Sequence, residues 1–244
     1  MKQQIIDYIK NEVKDNNPRS FFREPVVGFS SAGDDLYKNI KTIVSEYHLY
    51  PQDLLPEAKT VVSFFIPFSQ EVVDSNKGKD VSEEWALSYI RGNTLISSIC
   101  ETLTEMLRKN GIKASGTKTL RGFDKENLRS EWSHRSAAYI AGLGSFGKNR
   151  LLISEKGAAG RYGSLVISEV IAPDPRPEKE YCIFKNGGKC DFCVKNCPLG
   201  VLSDGAFERH KCYEQVNAVN NSFTRLGLCN VCGKCLMGPC GIFV

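Results

Sequence analysis

Cys190-Asp191-Phe192-Cys193-Val194-Lys195-Asn196-Cys197-Pro198, then Cys212, then Cys229-Asn230-Val231-Cys232-Gly233-Lys234-Cys235-Leu236-Met237-Gly238-Pro239-Cys240: these segments hold eight of the ten cysteines in a chain of 244 residues. Cys182 makes a ninth in the same region, and Cys100 stands alone in the first 181 residues. A chain of this length buries enough surface to fold without disulfides. The N-terminal run MKQQIIDYIKNEVK alternates charged and apolar residues and has no signal-peptide core. No apolar stretch approaches the roughly 20 residues of a bilayer span. The sequence therefore predicts a cytoplasmic protein with no membrane contact, where thiols stay reduced and clustered cysteines bind metal.

Two zinc ions with four ligands each would use eight of the nine tail cysteines. The spacing favours iron and sulfur. Bacterial double-cluster ferredoxins carry C-x2-C-x2-C-x3-C-P, in which the last cysteine serves the other cluster. Cys190, Cys193 and Cys197-Pro198 reproduce the final three cysteines and the proline; Gly187 occupies the first position, and Cys182 is the nearest substitute. The preferred partition gives one 4Fe–4S cluster Cys182, Cys190, Cys193 and Cys240, and the other Cys197, Cys212, Cys229 and Cys232. Cys235 is then spare, with a register through Cys232, Cys235 and Cys240 as the close alternative. A thiol left over is a small buried hydrophobe, which is also the reading for Cys100.

Upstream, Ala172-Pro173-Asp174-Pro175-Arg176-Pro177 forms a proline-dense connector that neither a helix nor a central strand tolerates. It divides the chain into a body, residues 1–175, and a cysteine module, residues 176–244. The body reads as mixed α and β. Ile5, Ile6, Ile9 and Val13 share a helical face that ends at Asn16-Asn17-Pro18. Lys59 to Phe68 is a β-branched and aromatic strand. Asp80 and Glu83 form a capping box opening a long helix through Trp85, Ile99 and Leu107, stopped at Asn110-Gly111. Strands are predicted over 112–117 and 163–171, and a helix over 131–141. The fold class is α+β, a mixed α/β body followed by a small ferredoxin-like double 4Fe–4S module.

Thirty-two basic residues against 28 acidic give a formal charge of +4, too balanced to point to nucleic acid. Eight thiolates and two oxidised cubane cores would bring that charge to about zero. Lys185, Lys189, Lys195, Lys211 and Lys234 are then read as offsetting cluster charge.

Ala141-Gly142-Leu143-Gly144-Ser145-Phe146-Gly147-Lys148-Asn149 matches G-x-G-x-x-G. A dinucleotide site needs a strand before this motif and a helix after it. Here the order is inverted, which leaves a tight turn or a backbone brought close to a flat cofactor. The longer stretch from Trp132 through His134-Arg135 and Ala138 to Asn149 resembles the ER-x-x-A-x-x-AGLG-x-x-GKN segment of epoxyqueuosine reductase, a cobalamin-dependent iron–sulfur family of tRNA queuosine biosynthesis. Pro56 to Val62, Tyr89 to Gly92 and Gly163 to Glu169 are similar as well, and the cysteine module has the same order. The resemblance runs from about residue 56 onward.

It implies a cobalamin-reductase-like body in which an external low-potential donor supplies electrons through the two clusters to a bound cobalamin. Gly142, Gly144, Gly147, Lys148 and Asn149 would contact that cofactor. The sequence departs from the family where its proposed general acid lies, seven residues before Arg135, at Leu128. It also ends at Val244 without the helical-repeat extension that helps the family hold tRNA. These departures imply a short paralogue with an altered substrate site, nucleic acid not expected, and Asp124, Glu131, His134 and Tyr139 as candidate proton donors. His134 ranks first, because a histidine titrates near neutrality. The rival reading is a ferredoxin-type electron carrier without catalysis, which leaves the large body unexplained.

Overall fold

The computed structural model describes residues 1–116, 123–203 and 206–243. In chain order the elements are α1 (Lys2–Asp15), β1 (Val26–Ser31), three one-turn helices α2 (Asp35–Lys38), α3 (Ile40–Ile43) and α4 (Pro51–Leu54), β2 (Thr60–Pro67), α5 (Gln70–Ser75) and α6 (Glu83–Lys109). The short strands β3 (Ala114–Ser115), β4 (Phe123–Asp124) and β5 (Arg129–Ser130) follow, then α7 (His134–Ile140), β6 (Gly144–Phe146), β7 (Leu152–Ser154), β8 (Gly160–Ile167), α8 (Phe192–Lys195) and α9 (Arg209–Ser222).

The main sheet has the order β1-β2-β8-β3, with every neighbouring pair antiparallel. β2 lies at its centre, with Val62 opposite Phe29 on one side and Leu165 on the other. All eight of its residues are buried, because helices cover both faces. Val62, Phe64 and Ile66 pack with Ile99 and Leu103 of α6 and with Ile5 and Ile9 of α1. Val61 faces Ala137 and Ile140 of α7 across the other side, where Phe65 also stacks on Tyr162 at 4.4 Å.

Local signals explain most boundaries. The cap of α6 is Ser82, whose hydroxyl accepts the Trp85 N–H at 3.1 Å, so the expected Asp80 box is displaced by two residues. The strand expected over 112–117 is confined to two residues, and Thr117 lies outside the described residues. Gly111 takes φ +77° after the helix, as the Asn-Gly stop requires. Cys100 is buried on α6 with its sulfur 3.8 Å from the Ser164 carbonyl, and burial pushes its thiol up to about 12.

The cysteine-rich segment shares the main core. Cys182, Leu236 and Met237 are buried in the same cluster as β2 and α6. The connector lies along β1: Asp174 N–H donates to the Phe29 carbonyl at 2.8 Å, and the Asp174 carboxylate accepts the Phe29 N–H at 3.0 Å. Arg23 donates to the carbonyls of Phe68, Lys156 and Phe243 at 3.0, 2.6 and 2.7 Å. Gly233 adopts φ +75° directly over the Trp85 indole, where a Cβ would stand 2.2 Å from the ring. The next residue, Lys234, is only 4% exposed, and its ammonium donates to the carbonyls of Asn76, Gly78 and Asp80 at 2.8, 2.8 and 2.7 Å. Burial lowers its pKa, and three backbone acceptors, that of Asn76 buried, hold the charge in place.

Lys234→Ala strands the buried Asn76 carbonyl and breaks two further bonds, to Gly78 and Asp80. The expected loss is about 3 kcal/mol of unfolding free energy, checked by urea denaturation followed by far-UV circular dichroism.

Candidate metal centres and the adjoining cleft

A hollow of about 360 Å³ is lined by Cys182, Cys190, Cys193 and Cys240, together with Lys148 and Asn149. Cys182 comes from the turn after the connector, Cys190 and Cys193 flank the start of α8, and Cys240 returns from the chain's end. These four thiols act on one another. Burial, then Cys182, Cys193 and Cys190, push the Cys240 thiol up to about 12. Burial and its neighbours raise Cys193 as well, with Lys148 in opposition. Positive charge placed among them would favour their thiolate forms.

Around one zinc ion at 2.3 Å, tetrahedral sulfurs lie about 3.8 Å apart. Among the described residues, which include all nine tail cysteines, no three His, Cys, Asp or Glu side chains gather in a way that could hold a single ion.

A second group comprises Cys197, Cys212 on α9, Cys232 and Cys235. Burial raises Cys212, with Cys232 and Cys197 adding to it. Cys235 is raised furthest, by burial and then by Cys232, Cys212, Cys193 and Cys197. It also borders the first hollow, so the two groups adjoin. Cys229 stands apart. It is fully buried, its N–H donates to the Asn220 side chain at 2.7 Å, and burial alone raises its thiol. The sequence reading places Cys229 in the second group and leaves Cys235 spare; in the structure it is Cys235 that Cys232, Cys212 and Cys197 act upon. The left-handed turn at Gly233 carries Cys232 and Cys235 past Trp85 together, while Asn220 ties the backbone of Cys229 to the end of α9.

Near Cys235 the body carries Arg135, which is exposed; the surrounding protein lowers its pKa, with Tyr162, Cys235 and Tyr89 opposing. Arg161 covers the Tyr89 ring at 4.4 Å and donates to Asn93 at 2.8 Å. Among the described residues neither guanidinium has a carboxylate partner. His134 Nδ1 is 2.8 Å from the Ser164 hydroxyl, which also accepts from Trp132 Nε1 at 2.9 Å. Burial, then Arg161 and Arg135, lower its pKa to about 4. His134 is therefore neutral at pH 7, and the expectation that it titrates near neutrality is corrected.

The other candidate donors do not gather with it. Asp124 is exposed on the β4–β5 hairpin, where Asn127 and the backbone N–H of Glu126 hold its carboxylate ionised. Glu131 is half-buried, and its carbonyl accepts from Leu49 at 2.8 Å. Tyr139 lies five residues along α7 from His134, about 140° around the helix, beside Phe146.

The glycines expected at a cofactor meet protein instead. A Cβ on Gly142 would stand 2.3 Å from the Pro175 carbonyl, and one on Gly144 2.0 Å from that of Ile153. Gly147 abuts Ile153 and Asn149. Arg161 and Tyr89 were not foreseen as site residues. The signal available was a lone arginine at the mouth of an otherwise apolar strand.

No family model matches the chain. Its sequence is 23% identical over 181 residues to an epoxyqueuosine reductase of Listeria monocytogenes, covering 69% of this chain and 42% of that protein. The structure of epoxyqueuosine reductase from Streptococcus thermophilus matches 95% of this chain and 64% of that one, with TM-score 0.59 and 22% identity. An epoxyqueuosine reductase crystallised with a modified tRNA-Tyr stem loop matches 100% of this chain and 66% of that one, with TM-score 0.62 and 18% identity. A catabolic reductive dehalogenase in complex with 3-bromo-4-hydroxybenzoic acid matches 88% of this chain and 29% of that one, with TM-score 0.58 and 16% identity.

The fold is thus one shared by epoxyqueuosine reductases and a reductive dehalogenase. The resemblance to epoxyqueuosine reductase holds in both sequence and fold, and the chain spans 42% of the length of its curated relative. Among the described residues no helix is long and apolar enough to cross a membrane.

Two outcomes check the site. Cys235→Ser removes about half of the bound iron and Cys229→Ser removes none, read by iron and sulfide analysis after anaerobic reconstitution. For His134, the unfolded imidazole protonates near pH 6.5 while the folded one stays neutral to about pH 4. The wild type accordingly loses about 2 to 3 kcal/mol between those values, fully restored above them, and His134→Gln does not. Urea unfolding of both proteins at pH 7 and pH 4.5 measures the difference.

Proposed function

We propose that this chain is an iron–sulfur reductase whose cysteines would hold two 4Fe–4S clusters supplying electrons to a cobalamin held beside Arg135. The body, residues 1–175, supplies the cofactor and substrate surface, and residues 176–244 supply the clusters. The observation that carries the reading is the adjacency of two groups of four thiols, the second of which acts on Arg135 through Cys235. An electron arriving from an external low-potential donor enters at the first group, held by Cys182, Cys190, Cys193 and Cys240. It leaves from the second, held by Cys197, Cys212, Cys232 and Cys235, beside Arg135.

Neither hollow, at Cys182 or at Gly142, is lined by these arginines; Arg135 and Arg161, with no carboxylate partner among the described residues, would hold an anionic part of the cofactor or substrate. Bound cobalamin supplies reductive cleavage of a carbon–oxygen or carbon–halogen bond. The chain's own residues hold the anionic part, keep His134 neutral, and set a phenol in reach. Tyr162 OH is committed to the Leu152 carbonyl at 3.1 Å, so Tyr89, beneath Arg161, is the phenol that serves as proton donor.

The near-balanced charge argued against nucleic acid. A solved protein of the same fold carries a tRNA stem loop, so that expectation is withdrawn and modified nucleosides join halogenated aromatics as substrate classes to assay. An electron carrier without catalysis has no use for these two arginines.

Anaerobically reconstituted protein should bind about eight iron and eight sulfide per chain. Titration with cobalamin should change its visible and EPR spectra at one equivalent, and Arg135→Met should weaken that binding about tenfold. Stoichiometric zinc without sulfide would end the cluster reading. Intact clusters with no cobalamin binding would end the corrinoid one.

A further inference from the structure

Asn149 lies in the tight turn between β6 and β7 and is 5% exposed. Its Oδ1 accepts the Leu151 N–H at 3.1 Å. That bond fixes which end of the carboxamide is oxygen, since only oxygen can accept from a backbone N–H. The nitrogen end is buried, and no hydrogen-bond partner meets it. A buried donor left unpaired costs about 1 to 3 kcal/mol, and native structures keep few of them. Gly147 makes room for the group: a Cβ there would sit 2.8 Å from Asn149 Oδ1. The same side chain borders the hollow lined by Cys182, Cys190, Cys193 and Cys240. Apart from polar backbone, the acceptors such a donor can meet in that hollow are sulfur atoms.

We propose that the Asn149 carboxamide donates a hydrogen bond to a sulfur of the first 4Fe–4S cluster and sets that cluster's reduction potential. The inference rests on the reading of this hollow as a cluster site and moves Asn149 from corrinoid contact to cluster tuning. An N–H···S bond withdraws electron density from the cluster and stabilises the reduced form more than the oxidised one, which raises the potential. Lys148, whose ammonium lies 4.0 Å from the centre of the Phe184 ring and borders the same hollow, acts in the same direction by charge. The first cluster is thereby made the easier of entry for an incoming electron, ahead of the group beside Arg135.

EPR-monitored redox titration of anaerobically reconstituted Asn149→Ala tests this. The reduction equilibrium of one cluster should become about tenfold less favourable, equivalent to 59 mV for one electron, while the other stays put. Asn149→Asp keeps the shape and the bond to Leu151 but offers no donor when ionised, so it should shift the same cluster in the same direction even if the alanine variant loses iron. An exchangeable proton coupled to the reduced first cluster should be present by ENDOR in the wild type and absent in both variants. Unchanged midpoints in iron-replete variants, or an equal shift of both clusters, would overturn the hydrogen bond. A wild-type chain that carries no sulfide would instead overturn the cluster reading beneath it.

Discussion

Lys234 places an ammonium group where water cannot reach, and three carbonyl oxygens of the segment before α6 close around it. Desolvating a cation is expensive, and it is tolerated here because three backbone carbonyls, one of them buried, accept its donors. The residues on either side inherit the precision of that contact. Gly233 can lie on the Trp85 indole because it has no side chain, and Cys232 and Cys235 are carried past the indole with it. The second thiol group is therefore positioned by the body, not by the cysteine segment alone.

From that anchor the electrostatics follow in order. The first thiol group is flanked by Lys148 and closed by Cys240, the second is centred on Cys235, and Arg135 stands next. Positive charge among either group of thiols would favour their thiolates, and among the described residues neither Arg135 nor Arg161 has a carboxylate partner. The carboxylates that the sequence offered as acids are elsewhere: Asp124 is engaged in its own hairpin turn, and the hydrogen bonds it accepts hold it ionised.

Much of this was legible in the residues. The β-branched run of β2 and the apolar repeat of α1 reported their own burial, since period and composition are local properties. The cysteine spacing announced two thiol groups, and four members of the first could be named. The choice between Cys229 and Cys235 could not be read, because C-x2-C occurs in both registers and only the turn at Gly233 and the bond from Asn220 separate them. Arg161 and Tyr89 are 72 residues apart, and nothing in either segment records that one covers the other. The lowered pKa of His134 was hidden for the same reason: its causes are burial and two arginines, one on the neighbouring strand.

The shared core has a consequence for how the protein comes into being. Leu236 and Met237 complete the apolar cluster that α1, β2 and α6 begin, and Arg23 joins the segment near the start of the chain to its last residues. During synthesis the early helices and strands emerge with that side of their core still open, and it closes only once Leu236 and Met237 have joined it. Closure of that core is thus a late event, and until it happens the same side of α6 and β2 stands bare and open to proteases.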